Sequence, residues 1–295
     1  MTGIAPHLAR LTRMTWSDIC QLRPIPRRHS RPSQLRQSRS LLFALCIIAC
    51  AGALLLYVVA GYHGAFLNMN YVGAQLPDEL WMSLTVLGDT RLAIALLLFY
   101  VYRHPQILPA ALLAALPVTL IVQFFKRGMP VPRPASIFEP EQYHHMGVVL
   151  KMGSFPSGHS ATLGLLAGFI CLVSTSNTPR FLALGVLIMA ALSRVMVGVH
   201  WPIDVLVGSS VGVLAALWSY RHAVRHRLCQ HPLSQWAGMA LVFYAAISLF
   251  ANDCAYPDVH SVIMLLSGAA LSCYFVQLSG LSMKDLKLRL ASQTP

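Results

Sequence analysis

Residues 41–62 read LLFALCIIACAGALLLYVVAGY, 22 positions without one charged side chain. As an α-helix rising 1.5 Å per residue, such a run is about 33 Å long, enough to cross a hydrocarbon core of about 30 Å. Working outward from it, further apolar runs predict spans near residues 90–102, 107–125, 157–173, 181–199, 203–220, 233–250 and 260–279. The run at 90–102 is short, so its span is expected to begin earlier, near Leu84. The segment before it, 76–83, contains Asp78, Glu79 and Trp81 and reads as an interfacial turn or short helix with an aromatic anchor. The fold class expected is all-α, a polytopic membrane helical bundle of eight spans.

Composition agrees. The chain has 295 residues, 56% hydrophobic and 11% charged, with mean hydropathy +0.60. A soluble domain carries about 25% charged residues, so this surface could not be kept wet, and disorder is excluded by the same comparison. The net charge of +12 does not point to nucleic acid, because no aromatic-basic module accompanies it. The seven cysteines form no CxxC pair and no metal-like spacing; Cys46, Cys50, Cys171 and Cys273 fall in apolar runs, and Cys254 is the one expected to be exposed.

Charge placement gives an orientation. Eight basic residues lie between Arg10 and Arg39, ahead of the first span. This start reads as a cytoplasmic tail rather than a cleaved signal, since its apolar run begins too far in; an organelle transit peptide is the alternative. With eight spans both termini are cytoplasmic, sixteen of the 22 basic residues lie inside, and eight of the ten acids lie on or near the outer side. That is the positive-inside pattern. The expected organisation is a basic tail over 1–40, six spans over 41–220, and two further spans with a short cytoplasmic tail over 221–295. No internal repeat is visible.

Six basic residues break the pattern: Arg91, Lys126, Arg127, Arg133, Lys151 and Arg194. Four fall in the loop that follows the third span and leads into Phe155-Pro156-Ser157-Gly158-His159. Arg194 lies near the outer end of the fifth span, and His200-Trp201-Pro202-Ile203-Asp204 opens the sixth. Lys126, Arg133 and Arg194 are cations able to clamp an oxyanion. Ser157 and Gly158 stand where a helix begins, where backbone N–H groups and the helix dipole favour an anion. His159 and His200 supply two imidazoles, one to attack and one to deliver a proton, and Asp204 can accept the other ring N–H of His200. Such a set describes phosphoryl transfer through a phosphohistidine with neither metal nor cofactor.

Lys126-x6-Arg133-Pro134, Pro156-Ser157-Gly158-His159 and Ser193-Arg194-x5-His200-x3-Asp204 resemble the three signature motifs of the type 2 phosphatidic acid phosphatase superfamily. At roughly one chance in twenty per fixed position, eleven positions in order do not arise by accident. The resemblance covers residues 126–204, and the six spans over 41–220 fit that family's membrane core; it is silent on the last two spans. It implies that His200 is the nucleophile, Asp204 its orienting partner and His159 the proton donor to the leaving oxygen. Lys126, Arg133, Ser157, the Gly158 amide and Arg194 would then hold the phosphoryl oxygens. It further implies hydrolysis without a metal ion; the headgroup depth of the clamp points to a lipid phosphate or pyrophosphate as substrate, with undecaprenyl pyrophosphate first for a bacterial source and phosphatidylglycerophosphate, phosphatidic acid and the phosphates of lipid A as the others.

The same site could instead serve a lipid phosphotransferase or a lipid A phosphatase, and a soluble vanadate haloperoxidase is a remote branch of the family. A transporter would place its ionisable residues near mid-membrane in repeated halves, whereas here they collect at one rim. Asp89 with Arg91 reads as a structural ion pair. Glu139, Glu141, His144 and His145 read as a solvated loop, and Lys151 as a possible contact to a second phosphate.

Overall fold

The structure is a computed structural model that describes residues 32–291 except 175, 227, 228, 230 and 252–255. The basic residues from Arg10 to Arg31, Arg227 and Cys254 lie outside the described residues. Helices occupy the apolar runs: α1 (Pro32–Ala60), α2 (Phe66–Gly73), α3 (Asp78–Thr85), α4 (Thr90–Leu96), α5 (Leu98–Val101), α6 (Ile107–Gly128), α7 (Gly158–Val173), α8 (Asn177–Met196), α9 (Pro202–Arg225), α10 (Pro232–Ala251) and α11 (His260–Ala291). No strand occurs among the described residues. Among the described residues six helices are long and apolar enough to cross a membrane, and α7 is a shorter apolar helix of 16 residues.

The second span departs from expectation. Residues 78–88 and 90–101 form two helical arms bent by 74°, rather than one helix starting near Leu84. The break has a local cause. Asp89 leaves the helix and caps α4, its carboxylate accepting from the amides of Arg91 (2.8 Å) and Leu92 (3.2 Å). Before it stands Gly88, where a Cβ would lie 2.9 Å from the Cβ of His159, so a glycine lets the elbow rest against a site residue. Trp81, expected as an interface anchor, is instead buried in α3 with its indole N–H donating to the Gly73 carbonyl (2.8 Å). That bond satisfies the polar end of the ring and leaves no reason for it to face an interface.

Helix α9 is the centre of the bundle, packed against α7, α6 and α1. Its approach to α7 depends on small residues. A Cβ on Gly212 would stand 1.9 Å from the Ala161 carbonyl oxygen, and one on Gly164 would stand 2.2 Å from that of Ser209. This small-residue spacing brings two backbones into contact where burying apolar surface gives little drive in lipid. The N-termini of the two helices are also tied directly, the Ser157 amide donating to the Asp204 carbonyl at 3.1 Å. His159 and Asp204 are therefore fixed relative to each other by backbone.

Alternation of direction puts the C-terminal ends of α1, α6 and α8 beside the N-terminal ends of α7, α9 and α11. At the opposite end Arg39, Arg221 and Arg225 line one groove, and Arg36 and Arg180 another. Helices α10 and α11 pack as a pair on α4, α5 and α6. Around the outside, Ile47, Leu55 and Val59 of α1, Leu116 and Phe124 of α6, Leu182 of α8 and Leu265 and Val276 of α11 are exposed. A contiguous apolar exterior of this kind belongs in lipid or against a partner, not in water.

Candidate active site

The segment from Val199 to Asp204 is held before its chemistry begins. Trp201 is fully buried, stacked among Phe66 (5.0 Å between ring centres), Phe138 (6.0 Å) and His63 (4.2 Å), and its indole N–H donates to the Pro132 carbonyl at 2.7 Å. Pro202 follows at the first helical position, where its missing N–H costs nothing. Asp204, at the third, accepts the Trp201 amide (3.0 Å) on Oδ2.

The same Oδ2 lies 3.2 Å from Nδ1 of His200 and accepts the Ser154 hydroxyl at 2.5 Å, while Oδ1 accepts the hydroxyl of Tyr62. His200 is 1% exposed and Asp204 0%. A buried carboxylate held by four donors is fully paired, and its place at Nδ1 assigns the ring proton to that nitrogen. Nε2 then carries the lone pair. It faces Arg133 Nη1 at 3.4 Å, a contact in which the guanidinium donates. Burial, then the charges of Arg133, Arg194 and Lys126, push the His200 imidazole well below its ordinary range. It is neutral at physiological pH, with its unprotonated nitrogen turned towards the cations.

Arg133, on the loop after α6, spends most of its donors on scaffold. Nε donates to the Met152 carbonyl (3.1 Å), Nη1 to that of Val199 (3.0 Å) and Nη2 to that of Gly153 (3.3 Å). It thus binds the 152–154 strap to the His200 segment. Burial and the neighbouring Arg194 lower it to about 10, so it remains charged at neutral pH. Arg194 ends α8 and is 5% exposed. Its Nη1 donates to Thr85 Oγ1 at 2.7 Å, while Nε is buried with no hydrogen-bond partner among the described residues. Lys126, in the last turn of α6, has its Nζ 3.9 Å from where a Cβ on Gly158 would stand.

Ser157 is buried and caps α7, its Oγ accepting from the Ser160 amide (3.3 Å) and the Ser160 hydroxyl (2.9 Å). The structure therefore gives this hydroxyl a helix-capping role. The cap leaves the amides of Gly158 and His159 in the helix's unpaired first turn, a natural seat for an anion. Lys126, Arg133 and Arg194 thus gather around a neutral His200, with the carboxylate of Asp204 behind it.

Residues singled out in the sequence but lying elsewhere are accounted for separately. Arg91 pairs with Asp89 at 3.5 Å. His144 Nε2 lies 2.9 Å from Asp78, and no group of three or more metal-ligating side chains gathers among the described residues. Lys151 is exposed, and its carbonyl accepts from the Arg133 amide (2.8 Å) and from the Ser136 hydroxyl. Sequence reasoning missed Tyr62, Ser154 and Thr85. Ser154 stands just before the Pro156-Ser157-Gly158-His159 motif; Tyr62 reads as the end of a span, and Thr85 carries no local signal.

Residues 107–228 match the model of the PAP2 superfamily. A solved structure, the crystal structure of Aquifex aeolicus LpxE, aligns at 24% identity over 53% of this chain and 83% of that one, with a TM-score of 0.36. A superposition that loose adds no weight to the family match. No curated protein matches the chain.

Proposed function

From the match of residues 107–228 to the PAP2 superfamily model, we propose that this chain is a member of that family and an integral membrane enzyme hydrolysing a phosphate monoester or pyrophosphate on a lipid. Its site faces away from the cytoplasm, which in a bacterial inner membrane is the periplasmic side. The observation that carries this reading is the neutral Nε2 of His200 set among Lys126, Arg133 and Arg194 at one rim of an apolar bundle.

His200 Nε2 attacks phosphorus as the bond to the leaving oxygen breaks, and His159 gives that oxygen a proton. The resulting phosphohistidine keeps its Nδ1–H on Asp204. His159, now neutral, takes a proton from water; the water oxygen bonds to phosphorus, the P–N bond breaks, and His200 returns to its starting form. Lys126, Arg133, Arg194 and the first amides of α7 stabilise the charge on the equatorial oxygens, the largest contribution expected in a phosphoryl transfer. The hydroxyl of Ser157 supports this set by fixing the start of α7.

A lipid substrate is supported by what lies beneath the site. Thr90 and Thr162, the latter one turn along α7 from His159, line a cavity of about 120 Å3 together with Ile94, Ala111, Val118, Leu165 and Leu241. The apolar lining of this cavity, and the apolar exterior of the helices around it, suit a lipid tail. Undecaprenyl pyrophosphate heads the candidate substrates, since its pyrophosphate suits the cluster of cations and its long apolar tail suits an apolar bundle. The test is phosphate release by purified protein from undecaprenyl pyrophosphate, phosphatidylglycerophosphate, phosphatidic acid and lipid A, with and without EDTA. Release from one or more lipids, unchanged by EDTA, is the expected result. Loss of turnover in EDTA, restored by a divalent ion, would overturn the metal-free mechanism. Label passing to a second lipid instead of to water would make the enzyme a phosphotransferase.

A further inference from the structure

Helices α10 and α11 lie outside the matched residues 107–228, yet the turn between them reaches the site. Tyr256, just before α11, is 5% exposed. Its hydroxyl lies 3.4 Å from Arg194 Nη1, on the same nitrogen that donates to Thr85 Oγ1 at 2.7 Å. The ring is seated against Gly147, where a Cβ would stand 2.6 Å from its edge. Gly147 itself has φ +83°, in the region where side chains other than glycine are strained. Both the missing Cβ and the backbone shape at 147 thus make room for Tyr256.

The chemistry of the guanidinium gives this contact a consequence. Nη1 carries two protons, and here each has a protein acceptor, one on α3 and one on the C-terminal pair. Nε–H and an Nη2–H lie parallel along the other edge, which meets a phosphoryl group with two bonds at once. Nε is buried and has no partner among the described residues. Rotation of the fork about its long axis would trade one edge for the other, and the two acceptors on Nη1 oppose that rotation.

We infer that Tyr256 is a positioning residue that, with Thr85, orients Arg194 so that its Nε/Nη2 edge meets the phosphoryl group, and that the C-terminal helix pair is thereby part of the catalytic unit. This rests on the function proposed above. Through Tyr256 the last two helices act on turnover as well as on packing in the membrane.

The test uses the full chain and orthovanadate, an oxyanion whose binding can be measured without turnover. Affinity is compared in wild type, Tyr256→Phe, Arg194→Ala and the double variant, alongside thermal unfolding and the steady-state constants for a lipid phosphate. Tyr256→Phe keeps the ring and is expected to weaken vanadate about fivefold, to lower kcat by a similar factor with KM unchanged, and to leave the unfolding midpoint in place. In the Arg194→Ala background the same change is expected to have no further effect, because Tyr256 acts only through that side chain. Wild-type affinity in Tyr256→Phe, or an equal loss in both backgrounds, would overturn the positioning role while leaving the proposed function standing. Wild-type affinity in Arg194→Ala would overturn the anion site, and with it both readings.

Discussion

Replacing His200 by alanine is expected to lower phosphate release by on the order of 10^4-fold or more, the scale seen when a covalent nucleophile is removed. The loss should fall on kcat, because Lys126, Arg133, Arg194 and the start of α7 remain to bind the headgroup. The fold should survive. Asp204 keeps Tyr62, Ser154 and the Trp201 amide as donors, and Trp201 keeps its aromatic surroundings and its bond to Pro132. An unchanged thermal unfolding curve beside lost turnover would separate chemistry from stability. A fall of less than about tenfold would remove His200 from the reaction, since general acid–base help alone accounts for more than that.

Asp204→Asn is expected to reduce kcat by about 10^3- to 10^4-fold, as when the carboxylate of a nucleophile–imidazole–carboxylate array becomes an amide. The site allows this substitution with little movement. The asparagine oxygen can take the Oδ2 side, where Ser154, the Trp201 amide and His200 converge, and its NH2 can donate to Tyr62, whose hydroxyl turns to accept. What is lost is charge. No anion remains to stabilise the imidazolium-like ring as Nε2 bonds to phosphorus in a site already carrying three cations. Phosphate release with a soluble aryl phosphate checks the expectation, and activity within tenfold of wild type would show that geometry alone, not charge, is the contribution of Asp204.

The parts of this molecule legible in sequence are those where one residue speaks for itself. In a chain with 11% charged residues, Lys126, Arg133 and Arg194 stand out at the ends of apolar runs because placing them there has a cost that only a partner repays. The helices were legible for the same reason, being long uncharged runs. Residues that act through tertiary contact were not. Tyr62 meets Asp204 across 142 positions and Arg194 meets Thr85 across 109, and no local period announces either. The elbow at Gly88-Asp89 was read through because the run at 90–102 is too short to span alone; what breaks the helix is a cap and a close approach to His159, both invisible to an apolar count. Arg133 was legible as a cation near the chemistry, but its use as a brace for carbonyls 152, 153 and 199 depends on how the loop closes. Gly164 and Gly212, which set the distance between the two helices bearing His159 and Asp204, read singly as ordinary glycines in apolar helices.

The central claim is a covalent bond from phosphorus to His200. It is tested most directly by incubating His159→Ala with 32P-labelled p-nitrophenyl phosphate and locating the label on the quenched protein. The aryl leaving group needs no proton, so the first step proceeds, while the water step lacks its base and the intermediate accumulates. The account expects label that survives alkali, is lost in acid, maps to the peptide containing His200 and is absent in His159→Ala/His200→Ala. Acid-stable label on another residue, or turnover with label retained when His200 is gone, would contradict it.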